Sequence, residues 1–279
     1  MIDLHTHSSV SDGSDPPERI PELAAAAGCR AVALTDHDRL DGIPTARASA
    51  RQAGVELVEG CELSCRTPWG EAHLLAYFVE ADGGPLQVLL EQLQRSRDRR
   101  NEQLAQRFAE LGLPVTLEEM EEEAGGTGVG RPHAAAVLVR KGVVASISEA
   151  FDLWLGDGKP AHVERERPDV GDVGRATSES GGVLVLAHPL SLELEPEGLD
   201  QAVAELAALG LVGLEAIYGN YSLEERRELC ALAARRGLVA TGGSDYHGEY
   251  KPDLRVGVGR GDLAVPDSVL EQLRERRPH

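Results

Sequence analysis

Two histidines two residues apart, His5 and His7, close the short apolar stretch that begins Met1-Ile2-Asp3-Leu4. In an extended strand the side chains at i and i+2 point the same way, so both imidazoles can face one cation. Asp12 follows in a Ser-Asp-Gly loop. No secretory leader precedes the pair, which reads as the first strand of the mature chain. A single His-x-His is more often coincidence than a metal site, but here the pattern recurs. Ala31 to Thr35 runs into Asp36-His37-Asp38, Val55 to Val58 into Glu59-Gly60-Cys61-Glu62, Gly182 to Leu186 into Ala187-His188-Pro189, and Gly237 to Thr241 into Gly243-Ser244-Asp245-Tyr246-His247. His73 lies within Glu71 to Tyr77. Buried imidazoles and carboxylates need partners, so repeated clusters after separate apolar runs point to shared ligation and not to packing. Ser8 and Ser9 have no basic partner in the pattern, which argues against a serine nucleophile.

Together these residues resemble the PHP family, the polymerase and histidinol phosphatase superfamily of metal-dependent phosphoesterases. The resemblance rests on His5-Thr6-His7, Thr35-Asp36-His37, Glu62, His73, Ala187-His188-Pro189 and Gly243-Ser244-Asp245-Tyr246-His247, in order along nearly the whole chain. Asp12, Cys61-Glu62-Leu63-Ser64, Gly70 to Phe78 and Gly130-Arg131-Pro132-His133 narrow it to the nucleoside 3',5'-bisphosphate phosphatase branch, which includes short-RNA 5'-3' exonucleases. The resemblance implies a distorted (β/α)7 barrel and nine metal ligands. His5, His7, Glu62 and Asp245 would hold one ion, Glu62, His73 and His188 a second, and Asp12, His37 and His247 a third. Nine donors exceed what one tetrahedral zinc takes, and a mixed imidazole and carboxylate set suits three divalent ions, Mn²⁺ first, with Fe²⁺ or Zn²⁺ as alternatives. Such a cluster activates water as a nucleophile near neutral pH, and ions about 3.5–4 Å apart clamp both the attacking and leaving oxygens.

Composition sets bounds on the substrate. The formal charge of -19 leaves no basic stripe for long duplex nucleic acid. A small nucleotide or short oligonucleotide remains compatible, because divalent ions beside Asp12, Glu62 and Asp245 would reverse the local charge. No apolar run reaches membrane-spanning length and no targeting segment is recognised, so the expectation is a cytoplasmic protein. Cys29, Cys61, Cys65 and Cys230 form no CxxC pair and read as reduced thiols, with Cys61 and Cys65 packed beside Glu62.

The elements that must position these residues alternate. Helices are predicted from Pro16 to Ala27 and from Asp41 to Ala53, between strands reaching Thr35 and Ser64, a series whose expected product is a parallel sheet. Alternation resumes with helices at 169–180, 197–209 and 222–236 and strands at 183–187, 212–217 and 238–241; residues 266–276 form a last surface helix. About seven strands result, in keeping with a barrel. Between them, residues 85–168 are helical: 86–111, a helix opened by the capping box of Thr116 and Glu119, and one from Arg131 to about Lys141. Gly125 to Gly130 reads as a flexible link without the lysine of a phosphate loop. The expected organisation is a barrel of residues 1–84 and 169–279 with a helical insertion, 85–168, over its mouth or merely peripheral to it.

Other residues carry two readings each. Arg131 is either a bidentate fork for a second phosphate or a surface ion pair. His133 either contacts substrate or caps its helix. Asp36 and Asp38 are orienters of His37 and not ligands. Glu215, Tyr218 and Asn220 are placed to line a nucleoside pocket, while His162 and His279 read as surface histidines. The activity this implies is removal of the 3'-phosphate from nucleoside 3',5'-bisphosphates, with trimming of short oligoribonucleotides. Nucleotide monophosphatase or histidinol-phosphate phosphatase activity is the alternative, and a non-catalytic metal-stabilised module is the alternative of another class.

Overall fold

The computed structural model describes residues 1–80, 84–125 and 128–278; His279 and part of the expected glycine link fall outside them. Seven strands form one sheet in chain order: β1 (Ile2–Asp3), β2 (Ala31–Leu34), β3 (Glu56–Thr67), β4 (Gly70–Tyr77), β5 (Val183–Leu186), β6 (Leu211–Tyr218) and β7 (Val239–Gly243). The first three and the last three run parallel within each set. Leu4 N–H donates to Gly242 O (3.1 Å), Asp245 N–H to His5 O (2.8 Å) and His7 N–H to Tyr246 O (2.9 Å). These bonds bring β7 back to the start of the chain, so the sheet curls into a nearly closed barrel.

One strand departs from the expected parallel series: β4 is antiparallel to both β3 and β5. Only Pro68 and Trp69 separate β3 from β4. A parallel crossover needs a dozen or more residues, whereas a hairpin needs two. Thr67 Oγ1 pins the turn by accepting from Trp69 N–H (3.1 Å) and donating to Gly70 O (2.9 Å), and Gly70 supplies the left-handed φ of 115° that the turn requires.

The barrel interior is filled by Ile2, Leu4, Ala33, Val58, Tyr77 and Val185, with Leu270 and Leu273 of the last helix joined to them. Every residue of β2 and β5 is buried, as expected of strands covered on both faces. The covering helices are α1 (Arg19–Ala26), α2 (Ile43–Ala53), α7 (Val170–Glu179), α8 (Pro196–Ala208), α9 (Leu223–Arg235) and α10 (Ser268–Glu275). The first starts later than its prolines suggest, because Pro16–Glu18 form a turn.

Between β4 and α7 lie α3 (Pro85–Glu110), α4 (Leu117–Glu123), α5 (Arg131–Arg140), α6 (Ile147–Ala150) and a π-helical turn, Phe151–Leu155; the last two were not anticipated. The capping box of Thr116 and Glu119 is formed. Leu104, Phe108, Met120, Val137, Leu138 and Leu155 belong to an apolar cluster of this region's own. The near end of α3 differs: Leu86, Leu90 and Leu93 join the barrel's core. One helix therefore belongs to both bodies. The glycine link is not simply loose, since Gly128, at φ 69°, lies so close to the Val10 and Ser11 backbone that a Cβ there would collide. Among the described residues no helix is long and apolar enough to cross a membrane.

Candidate metal centre

The ends of β1, β2, β5 and β7, and Glu62 midway along the long β3, deliver their polar residues to one end of the barrel. The reversal of β4 brings His73, near that strand's start and paired with Ser64, to the same end. Buried Asp36 builds the loop that carries Asp12: it accepts from Ser8 N–H (2.8 Å), Ser8 Oγ (2.7 Å) and Ser11 Oγ (2.6 Å). Ser8 is thus a structural donor. His188 and Asp245 sit at left-handed φ values of 26° and 55°, as does Asp38 at 56°. Non-glycine residues rarely adopt this conformation, and its concentration at the site marks backbone held for function.

Glu62 is the hub. Its Oε1 lies 2.9 Å from His73 Nδ1 and 3.0 Å from His188 Nε2, and its Oε2 lies 3.3, 3.2 and 3.4 Å from His5 Nε2, His7 Nε2 and His37 Nδ1. Asp245 Oδ1 lies 3.5 and 3.4 Å from the Nε2 atoms of His5 and His7. Asp12 reaches His247 Nε2 (3.3 Å) and His37 Nε2 (3.6 Å). All nine expected ligands therefore lie together. The tightest groups are His7, Asp12, His37 and His247; His5, His7 and Asp245; and His37, Glu62 and His73. His37 thus stands between two groups, and His188 enters through Glu62.

The donors suit divalent ions. His5 Nε2 and His7 Nε2 face each other at 3.1 Å, and the buried Nδ1 atoms of His7 and His37 have no hydrogen-bond partner, an expensive arrangement unless a cation satisfies the lone pairs. Other imidazoles are aimed by their second nitrogen: His5 Nδ1 at Glu215 Oε1 (2.9 Å), His188 Nδ1 at Ser191 Oγ (3.0 Å) and His247 Nδ1 at Asp245 O (2.9 Å). Each leaves Nε2 for the centre, the usual support of a metal-binding histidine. Glu215 is fully buried in this role and also accepts from His188 N–H (2.8 Å), so it does not line a nucleoside pocket. Burial by itself would raise the Glu62 and Asp12 carboxyls, but the surrounding imidazoles hold both well below the usual range. At His37 burial, joined by the like charges of His7 and His73, outweighs Asp12 and Glu62 and lowers the pKa to about 3, leaving a neutral ring. Tyr218 Oη (2.6 Å) and Lys251 Nζ (2.5 Å) both engage Asp245 Oδ2 and turn Oδ1 toward the histidines.

The cluster opens into a cleft of about 690 Å³ that residues of the insertion line on the opposite side. Arg131, Asn220 and Tyr221 line it. The Arg131 guanidinium lies over the Phe151 ring at 5.7 Å, 4.0 Å from Glu71 and 3.7 Å from exposed Asp157. His133 does not line the cleft. It is buried, and its Nδ1 accepts from Gly130 N–H (2.9 Å), so the capping role is the one observed. His162 is half-buried between the Asp157 and Glu164 carboxylates and is not simply a surface residue. Cys61 and Cys65 are fully buried thiols beside Glu62. Asp38 does more than flank His37: its Oδ2 takes both Arg97 (2.7 Å) and Arg165 (2.9 Å), fastening the insertion to the barrel. Sequence reasoning missed Arg97, Arg100, Arg165, Arg167 and Lys251, all of which line the cleft.

The PHP domain model matches residues 3–116. Over 249 residues the chain is 31% identical to the 5'-3' exoribonuclease Rnm of Escherichia coli, covering 88% of this chain and 85% of that one. It is 29% identical to the 3',5'-nucleoside bisphosphate phosphatase of Chromobacterium violaceum, covering 88% and 87%, and 31% identical to the phosphoribosyl 1,2-cyclic phosphate 1,2-diphosphodiesterase of Eggerthella lenta, covering 89% and 94%. A provisionally assigned metal-dependent phosphoesterase from Bifidobacterium adolescentis superposes with a TM-score of 0.88 at 29% identity, over 99% of this chain and 96% of its own. Similarity that runs through the barrel and the insertion alike, on a fold that gathers this ligand set at one end, places the chain in the PHP family.

Proposed function

We propose that this chain is a metal-dependent phosphohydrolase that removes the 3'-phosphate from nucleoside 3',5'-bisphosphates and trims short oligoribonucleotides from the 5' end. The observation that carries the reading is the two-sided cleft, in which nine candidate metal donors on the barrel, seven of them buried, face arginines on the insertion. The named activities of the Chromobacterium and Escherichia relatives supply the substrate class. The donor set would hold three divalent ions, Mn²⁺ in our reading, grouped around Glu62, Asp245 and Asp12. Divalent ions in such a site activate water near neutral pH and stabilise charge on phosphoryl oxygens.

The chain's own residues do the rest. Glu215, Ser191 and the Asp245 carbonyl fix the rings of His5, His188 and His247, so the donors need little reorganisation as charge develops. Arg131 grips the phosphate that is not cleaved, and Asn220 with Tyr221 borders the space for the nucleoside. Four free cysteines accord with work in the reducing cytoplasm.

The test is a substrate panel with added Mn²⁺: a nucleoside 3',5'-bisphosphate, 3'- and 5'-monophosphates, histidinol phosphate, a phosphoribosyl cyclic phosphate, and di- to pentaribonucleotides. The bisphosphate should give the highest kcat/KM, with inorganic phosphate and a 5'-monophosphate as products. Preference for histidinol phosphate or the cyclic diester would overturn the assignment.

A further inference from the structure

Two further grooves adjoin the cleft. One, of about 540 Å³, shares Glu71, Arg165 and Arg167 with it and lies on the insertion side. The other, of about 620 Å³, shares Asn220 and Tyr221 with it, beyond the end of β6. Their charges are arranged in opposite ways. Every arginine of the first is already paired: Arg66 with Asp169 (3.0 Å), Arg165 with Asp38 (2.9 Å) and Arg167 with Glu71 (2.6 Å). In the second it is the carboxylates that are engaged, Asp262 Oδ1 accepting from Arg226 Nη2 (2.9 Å) and Glu225 Oε2 from Ser222 N–H (2.6 Å). Among the described residues lining that groove Arg260 is the single cation, and its exposed guanidinium makes no hydrogen bond or ion pair. The groove is also tied to the metal centre. Buried Arg226 staples its two sides, donating to Tyr218 O (3.1 Å) at the end of β6 and to Asp262 O (3.0 Å) in the loop that carries Arg260. Gly219 lies so close to the Ser244 backbone and to Gly259 Cα that a Cβ there would collide. Ser244 precedes the ligand Asp245, whose Oδ2 accepts from Tyr218 Oη (2.6 Å), so the floor of the groove shares the supports of the cluster.

We propose that this second groove holds the nucleotide downstream of the scissile phosphate in a short oligoribonucleotide, with Arg260 pairing to the phosphodiester on that nucleotide's 3' side. The inference rests on the phosphoesterase reading and adds to it a direction for the chain. Removal of a 3'-phosphate and trimming from the 5' end break the same bond, between phosphorus and the 3'-oxygen of the first nucleoside. Water adds its oxygen to phosphorus, the departing 3'-oxygen gains a proton, and the shortened chain keeps the phosphate as its new 5' end. The first nucleotide, with the phosphate that is not cleaved, faces the insertion, so the rest of the chain must leave elsewhere. The insertion-side groove also carries Asp157, Glu164 and Glu166, and with its arginines already neutralised it repels a polyanion. The free fork of Arg260 attracts one. With a single unpaired cation along it, the groove gives a short chain one extra hold and a long chain no more.

The test compares a nucleoside 3',5'-bisphosphate with 5'-phosphorylated di- and triribonucleotides, of which only the trinucleotide carries the phosphodiester that Arg260 would meet. For wild type, kcat/KM for the trinucleotide should exceed that for the dinucleotide by roughly three- to ten-fold, between the value of a surface ion pair and that of a charged hydrogen bond. The gain should shrink as salt rises. Arg260→Ala should erase it, Arg260→Glu should invert it and Arg260→Lys should keep part of it, while all three treat the bisphosphate as wild type does. Calorimetric binding of the same two oligonucleotides to the full chain in chelator reads the groove without turnover and should show the same dependence on Arg260. A wild type with no preference for the trinucleotide in either measurement, or an Arg260→Ala variant that retains the preference, overturns the groove. So does an Arg260→Ala variant that loses bisphosphate turnover to the same extent, since Arg260 would then support the fold. A wild type that hydrolyses none of the three substrates yet binds the trinucleotide more tightly through Arg260 overturns the activity reading and leaves the groove standing.

Discussion

The two walls of the cleft are built on opposite principles. On the barrel side every charged group answers to several others: Glu62 reaches five imidazoles, and three of the histidines are fixed again from behind. On the insertion side charge is rationed, with Asp38 and Glu71 occupied by three arginines while Arg100 goes without and Arg131 is held loosely. The first arrangement preorganises a site for ions that stay, and the second keeps charge in reserve for a group that comes and goes. A buried salt bridge within the protein would have been the safer way to bury Arg100. Its lack is the feature of that wall that most needs a ligand.

The sharpest way to break this contrast is to remove the hub. Glu62→Gln should reduce turnover by on the order of a thousand-fold, equivalent to about 4 kcal/mol, with metal content falling in parallel by elemental analysis. Activity loss with full metal occupancy would mean that Glu62 is not a ligand. Chelation should abolish activity as completely, while far-UV circular dichroism stays unchanged because a chain of 279 residues has core enough to fold unaided. Loss of both signals would make the ions structural.

Removing a support behind the cluster should cost less. Glu215→Gln should weaken metal affinity or activity roughly ten- to a hundred-fold, measured by competition with a chromophoric chelator. On the opposite wall, Arg131→Ala should lower kcat/KM for a bisphosphate by about ten-fold, with Arg131→Lys recovering part of it; a Lys variant as poor as Ala would show that the charge itself is not what matters.

The smallest effect is on stability and carries a sign. Burial opposes protonation of His7 and His73, but hydrogen bonds and charge, from Asp245 and Glu62 at His7 and from Glu62 and Glu71 at His73, push both pKa values up to about 9. Their protonation therefore contributes stability fully below the ordinary value near pH 6.5 and loses it as pH rises through about 9. The metal-free protein should melt on the order of a few degrees lower at pH 9 than at pH 6.5, and the metal-loaded protein should not. Parallel curves for the two forms would mean that these rings do not titrate in competition with ions.

The barrel wall was the more legible in sequence, and for a physical reason. Most of the ligands, His5, His7, His37, His188, Asp245 and His247, follow a buried apolar run, so strand period and strand end locate them without any knowledge of tertiary contacts. The reversal of β4 was also legible: two residues between Thr67 and Gly70 exclude a parallel crossover, yet the alternating series drew attention away from that count. The arginine wall was harder. Arg95-Ser96-Arg97-Asp98-Arg99-Arg100 reads as a solvated helix face. The clue lay in register: Leu86, Leu90, Leu93, Arg97, Arg100, Leu104 and Phe108 follow one stripe at helical spacing, so two arginines occupy positions where the helix faces inward. What they face depends on how the insertion docks, which no local pattern encodes. The capping role of His133 and the buried role of Glu215 have the same origin, since each is chosen by a neighbour distant from the residue's own apolar run.

That same helix makes the cleft a gauge. Its 26 residues span roughly 39 Å, with Leu86 to Leu93 seated in the barrel and Leu104 to Phe108 in the insertion. Taken as a stiff rod pivoting near Leu90, it carries Arg100 roughly 15 Å and Phe108 roughly 27 Å from the pivot. Any tilt that moves the insertion's far cluster moves Arg100 by only about half as much. The span between Arg100 and the Glu62 hub is thus buffered against breathing of the outer helices. If a bisphosphate bridges the two walls as proposed, a substrate with a longer spacer between its phosphates would have to buckle to reach both.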